Sequence, residues 1–328
     1  MKKPAAALVL VSASALALAG CSSTPAADGG TDGITVIATT NIYGSLAEQI
    51  GGDRVSVTSI IDSASQDPHS YEASARDRLT VQDADLVIEN GGGYDSFIED
   101  LLEGSDAATV TAVEFSHDYP GNEGHDEEAE EHAHEEEHDH AEEGDDHEGH
   151  DHIEGFNEHV WFDPHTMIHV VEDIAAELSA LDPDGEADFT AAAEDIIADL
   201  EGYEADLADL NAQYAGTGVF ITEPLPGYLA EAAGLTDVTP EGFAEAVEEG
   251  SDVAPATLLA AIEVIEAGDA AVVLTNAQTG GAETTRVEET AEAAGVPVVA
   301  FTELLEDGSS YSEWMADAIQ NLADALAS

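Results

Sequence analysis

Short β-branched runs at 34–40, 55–60, 86–90 and 109–113 alternate with stretches whose apolar residues recur at helical spacing, such as 42–50 and 73–84. Strand-helix alternation of this kind predicts a parallel or mixed sheet with helices on its faces. The alternation restarts at 219–222 and continues through 271–275 and 296–301. The expected fold class is therefore α/β, as two α/β lobes, the first over 34–181 and the second over 215–328. Between them Phe189, Ala193, Ile196, Leu200, Tyr203, Leu207, Leu210 and Tyr214 follow at steps of three and four residues. This seam predicts one long rigid helix within 182–214, close to 40 Å at about 1.5 Å per residue. A dimeric coiled coil would use a similar repeat. The seam is short and Gly202 interrupts it, so a strut within a monomer, limiting how far the lobes swing, is expected.

The first 33 residues carry a different pattern. Lys2 and Lys3 precede an apolar, Ala-rich run and then Leu18-Ala19-Gly20-Cys21, which fits an export signal over 1–20 and resembles the bacterial lipobox. Cys21 is then the lipidated first residue of the mature chain, anchored at the outer face of the cell membrane. The run is too short and too Ala-rich for a membrane-spanning helix. Residues 21–33 are small and polar, as a flexible tether should be. A second departure lies at 117–152, where acidic residues and histidines displace almost all apolar side chains. Such a segment cannot offset the entropy of ordering and is expected to be a disordered insert in the first lobe.

Composition narrows the function. The chain has 328 residues and is 43% apolar, enough for about two domains with buried cores. Its 72 Asp and Glu face only 6 Lys and Arg, a formal charge of -66. Nucleic acid and anionic lipid head groups demand a positive surface and are excluded as main partners. Cations are the natural counterpart. One cysteine cannot form an intramolecular disulfide or a thiolate-rich metal site, so metal ligands must come from His, Asp and Glu. So large a negative charge is tolerable where salt screens it, which points to a salt-rich habitat.

Of the 13 histidines, all but His69, His159, His165 and His169 fall within 117–152. Imidazole suits zinc, copper, nickel and iron, so this insert is expected to bind metal at weak, exchangeable sites. His69 lies in Gln66-Asp67-Pro68-His69-Ser70-Tyr71-Glu72, and His159 in His159-Val160-Trp161-Phe162-Asp163-Pro164. Both lie in turns after strands, where open α/β sheets place their ligands. His165 and His169, four apart, would share a helix face and form a two-point clip. Asp163-Pro164 is instead a good helix start, which makes both of them surface residues of the first two turns.

These motifs, with Ala84-Asp85-Leu86-Val87-Ile88-Glu89-Asn90-Gly91 and the acidic His-rich insert between the histidine motifs, resemble the cluster A-I substrate-binding proteins. Those are the periplasmic or lipid-anchored receptors of zinc and manganese ABC importers, and the resemblance spans about 34–328. It implies two α/β lobes joined by one long helix, with the metal in the cleft between them. It implies His69 and His159 as the first two ligands and Glu223, in Thr222-Glu223-Pro224-Leu225-Pro226-Gly227-Tyr228, as the third. The family's third ligand is His in zinc receptors and Glu in many manganese receptors. Where a fourth ligand often stands, this chain departs from the pattern with Asn276-Ala277-Gln278-Thr279-Gly280-Gly281; Gln278, Asn276, Glu283 or a water would fill that position.

Two imidazoles and a carboxylate suit a divalent cation. Glu223 favours manganese, the His-rich insert favours zinc, and Zn2+ is the expected cargo, with Mn2+ the alternative. The implied role is capture of the ion outside the cell and delivery to an ABC permease. A hydrolase would use a similar ligand set, but no His-Glu-x-x-His run or placed general base supports one. A surface metal buffer or adhesin, in which the His-rich insert is the whole function, is the third possibility.

Overall fold

The computed structural model describes residues 33–63, 66–122, 153, 155–306 and 308–328. The export signal, the Cys21 tether and nearly all of the His-rich insert lie outside the described residues. No described helix is long and apolar enough to cross a membrane.

The first lobe opens with β1 (Ile34–Thr40), α1 (Asn41–Gly51), β2 (Val55–Ile61), α2 (Ala75–Gln82), β3 (Leu86–Glu89), α3 (Phe97–Leu102) and β4 (Ala108–Thr111). Its four strands pair in the order β2-β1-β3-β4, all parallel. The expected strand at 109–113 stops at Thr111, and Ala112–Phe115 turns into a 3-10 helix. Helix α2 is shorter than the 73–84 pattern because Ser74 starts it with a capping box, its hydroxyl accepting from Asp77 N while the Asp77 carboxylate accepts from Ser74 N.

Helix α4 (Pro164–Leu181) begins as its sequence predicts. Asp163 accepts from the backbone N–H groups of His165 and Thr166, and Pro164 occupies the first position. Helix α5 (Glu186–Tyr214) then runs for 29 residues. Phe189, Ala193, Ile196, Leu200, Leu207 and Leu210 of its seam are buried, in one core cluster that takes in residues of both sheets. The Tyr203 hydroxyl donates to Ser312 O at 2.7 Å, so the same face holds the second lobe. Arg54 ties the base of the first sheet to the α4–α5 turn through Asp182 at 2.8 Å and Asp188 at 3.2 Å.

The second lobe repeats the plan with β5 (Gly218–Ile221), α6 (Gly227–Ala232), β6 (Thr236–Asp237), α7 (Phe243–Glu248), α8 (Pro255–Ala267), β7 (Val272–Asn276), α9 (Ala282–Ala294), β8 (Val298–Phe301) and α10 (Tyr311–Leu326). Its strands are also parallel, in the order β6-β5-β7-β8. Two smaller apolar clusters cover the outer faces, one around Phe220, Phe243 and Val273, the other around Ile37, Val87 and Ile98. With all strands of a lobe parallel, their carboxyl ends lie at one edge, where the connecting loops gather.

The lobes are held at that edge by hydrogen bonds between polar groups. Asn41 exchanges two with the backbone of Leu305, at 2.9 and 3.0 Å. The Tyr311 hydroxyl donates to Trp161 O at 2.9 Å, and Asn157 Nδ2 donates to Pro224 O at 3.1 Å.

Candidate metal centre

His69 and His159 come from separate turns of the first lobe. Asp67 shapes the first turn: its carboxylate accepts from His69 N at 3.0 Å and from Ser70 Oγ at 2.8 Å, a local arrangement that Asp favours. His159 precedes a 3-10 turn, Val160–Phe162, whose three side chains are buried and hold it in the wall. The imidazole centroids of His69 and His159 lie 6.0 Å apart. Both pack edge-on to the buried ring of Tyr94, at 4.8 and 5.8 Å.

Tyr94 is delivered by the loop after β3. Gly91 and Gly92 take φ of 79° and 67°, and a side chain on Gly91 would meet Thr111 Cγ2 at 2.6 Å. Asp95 fastens this loop by accepting from Asn90 N at 2.7 Å and Gly91 N at 2.8 Å.

His159 is oriented by Asn157. Its Nδ1 lies 2.7 Å from Asn157 Oδ1, which also accepts from His159 N at 3.2 Å. A carbonyl oxygen accepts only, so Nδ1 carries the proton and Nε2 is the basic nitrogen, the tautomer a metal ligand requires. The same Asn157 receives the Tyr228 hydroxyl of the second lobe on its backbone oxygen at 2.7 Å.

The second lobe contributes carboxylates. Glu223, just after β5, is 3% exposed; Thr279 Oγ1 donates to its Oε1 in a short bond, and Asn276 Nδ2 donates to its Oε2 at 2.9 Å. Asn276 Nδ2 also reaches Glu303 Oε1 at 2.6 Å, and the Tyr94 hydroxyl donates to Glu303 Oε2 at 3.2 Å across the lobe boundary. Gln278 turns its Oε1 onto the backbone N–H groups of Glu303, at 2.5 Å, and Leu304, at 2.9 Å. Its carbonyl oxygen thus fixes the segment that carries Glu303. A further carboxyl, Glu248 from the end of α7, lies with Oε1 3.7 Å from His159 Nε2.

Among the described residues, one group of three metal-ligating side chains converges: one ligand atom each from His69, His159 and Glu248, all within 4.8 Å of one another. Glu223 belongs to the surrounding acidic wall and not to that triplet. His165 and His169 form no such group. They lie exposed on α4, ring centroids 5.3 Å apart, with Nδ1 directed to Glu204 at 3.2 Å and Glu172 at 3.1 Å.

The electrostatics of the wall are those of crowded carboxylates. Burial pushes the Glu248 carboxyl up to about 9, with the charges of Glu158, Glu223, Glu303 and Glu249 adding to it. Burial likewise pushes Glu303 up to about 7, reinforced by Glu223 and Asp67 and opposed by the hydrogen bonds from Asn276 and Tyr94. Glu223 is raised by burial, against the hydrogen bonds from Thr279 and Asn276. Like charges brought together in a low-dielectric cleft favour the protonated forms until a cation offsets them. Two imidazoles and several carboxylates form a donor set for a divalent ion, and the described basic side chains with ion pairs, Arg54 and Arg286, serve other contacts.

The family described as zinc-uptake complex component A, periplasmic (ZnuA) matches residues 36–325. The chain belongs to that family. Zinc-binding lipoprotein AdcA of Streptococcus pneumoniae is 30% identical over 249 residues, 74% of this chain and 45% of the relative. Manganese-binding lipoprotein MntA of Halalkalibacterium halodurans is 28% identical over 230 residues, 68% of this chain and 66% of the relative. The chain thus spans about half the length of the AdcA relatives it matches. Both relatives are named as metal-binding lipoproteins. Among solved structures, ZnuA matches with a TM-score of 0.64 at 19% identity, over 90% of this chain and 98% of that one. Zn(II)-bound AdcA from S. pneumoniae matches at 0.65 and 20%, over 90% and 58%. These likenesses show the two-lobe fold of the ZnuA family.

Sequence motifs pointed to His69 and His159, and the family resemblance to Glu223; neither marked Tyr94, Glu303 or Glu248, which stand beside them in the structure. Glu303 follows β8 by two residues, so the strand-end rule that marked the histidines would have found it. No comparable signal marks Glu248.

Proposed function

We propose that this protein is an extracytoplasmic receptor that captures a divalent transition metal, Zn2+ foremost, and delivers it to the permease of an ABC importer. The observation that carries the proposal is the convergence of His69 and His159 from one lobe with the Glu248 carboxyl of the other, in a wall where burial raises the carboxyls and repulsion between like charges adds to it. A bound ion would remove that repulsion and bridge the lobes, stabilising one closed arrangement for the permease to recognise. His69, His159 and Glu223 are the proposed ligands. Gln278, the sequence candidate for the fourth position, more readily acts by holding Glu303, whose carboxyl stands beside Glu223 through their shared partner Asn276. Lipidation at Cys21 would tether this monomeric receptor to the outer face of the membrane, and the His-rich insert would raise the local supply of metal.

The oxygen-rich second lobe supports Mn2+ as the second reading, because carboxylates suit that harder ion better than a third imidazole would. The relative named for manganese is consistent with it. Competition titrations of Zn2+ and Mn2+ against a chelator, in the full chain and in Glu223→Ala, test both readings. The expected result is one tight Zn2+ site weakened at least about tenfold by the substitution. Tight binding unchanged in Glu223→Ala removes Glu223 from the ligand set, and tighter Mn2+ than Zn2+ binding overturns the zinc preference.

A further inference from the structure

Glu248 is set apart from the rest of the acidic wall by its origin. His69, Glu223 and Glu303 come from segments that follow strands and His159 from the start of the Val160–Phe162 turn, whereas Glu248 ends α7, a six-residue helix in the connection between β6 and α8. Two glycines in left-handed conformation bracket this helix, Gly242 at φ 78° and Gly250 at φ 63°. Phe243 anchors it, fully buried with its ring centroid 5.1 Å from that of Phe220. Glu248 lies five residues on, about 140° round the helix at 3.6 residues per turn, and so leaves the opposite side from that anchor.

Its side chain is 11% exposed, and Oε1 is buried with no hydrogen-bond partner. A buried polar atom without a partner costs free energy, so its position calls for an explanation. The 3.7 Å from Oε1 to His159 Nε2 is too long for a hydrogen bond. It is close to the edge of a ligand tetrahedron, about 3.4 Å for metal–ligand bonds of about 2.1 Å. His69 contributes the third ligand atom within the same span of 4.8 Å.

We propose that Glu248 is a metal ligand, and that α7 is the element that closes the site by bringing this carboxylate onto the two histidines. The assignment rests on the receptor reading above and adds to it a ligand supplied from outside the strand-end motifs. Glu248 then joins His69, His159 and Glu223 around the ion, so that binding it pulls the β6–α8 connection against the first lobe.

The test is chelator-competed Zn2+ titration of the full chain and of Glu248→Gln, Glu245→Gln and His159→Ala, with Co2+ loaded separately to read its visible ligand-field bands. Gln is close in size to Glu, and Glu245 is a carboxylate of the same helix outside the triplet, so its variant controls for charge. Glu248→Gln should weaken Zn2+ binding at least about tenfold, the lower bound for loss of even an outer-shell partner, and should change the Co2+ bands. Glu245→Gln should do neither. Wild-type affinity and bands in Glu248→Gln, with binding lost in His159→Ala, overturn the Glu248 assignment and leave the receptor reading standing. Tight binding retained in His159→Ala overturns both. A thermal melt of each variant confirms the fold, and Glu248→Asp, which shortens the reach by one methylene, should also weaken binding if ligation is the cause.

Discussion

Each residue of the site gains its role from a neighbour that holds it. Asn157 fixes the tautomer of the proposed ligand His159, and Gln278 holds the backbone of Glu303. The same reasoning applies away from the metal. Glu89 ends β3, accepts from Thr111 Oγ1 at 2.8 Å, and is pushed up to about 7 by burial and then by Asp95. A carboxyl raised in the folded chain holds its proton more tightly there than in the unfolded chain. Its favourable contribution is therefore complete below the ordinary value of 4.5 and is lost as pH rises through about 7. Glu89→Gln should be nearly neutral at about pH 5 and should stabilise the fold by about 1–3 kcal/mol at about pH 8, since each tenfold gain in proton affinity is worth about 1.4 kcal/mol, less a discount for partial exposure. Urea unfolding at the two pH values checks the sign; an equal effect at both would contradict it. At this scale the sequence was informative only where residues formed motifs. His69 and His159 stand in unusual company, but Glu248 is one of 72 acidic residues, and only the tertiary fold separates it from Glu245 three positions earlier.

The elements were legible in proportion to their length. The seam of α5 could be followed over eight positions, and the structure buries six of them in a core cluster shared by both lobes. The two-residue β6 and six-residue α7 left no periodic signal, because a helix of under two turns presents too few positions to define a face. Their connection nevertheless carries Glu248, so the least legible part of the second lobe supplies the proposed closing ligand. For α5, Leu200→Ala should cost about 2–5 kcal/mol by opening a cavity in the shared core, while Glu201→Ala on the exposed side should stay within about 0.5 kcal/mol. Denaturant melts distinguish them; equal effects would show that the seam of α5 is not packed in the shared core as described.

For the whole molecule, the charge of -66 and the metal centre are separate matters. Most of the described acidic residues lie outside the buried set, where salt screens them. A small subset meets two histidines at the boundary between lobes, and the proposed receptor role rests on that meeting. Two parallel sheets carry their loops at one edge, and one long helix contributes its seam to a core cluster that takes in both. The most direct test is anomalous diffraction at the zinc edge from crystals of the Zn2+-loaded chain. One dominant peak is predicted between the lobes, about 2.0–2.2 Å from His159 Nε2 and in contact with His69 and at least one carboxylate of the second lobe. A dominant peak on the exposed His165 and His169, or none between the lobes, would contradict the account.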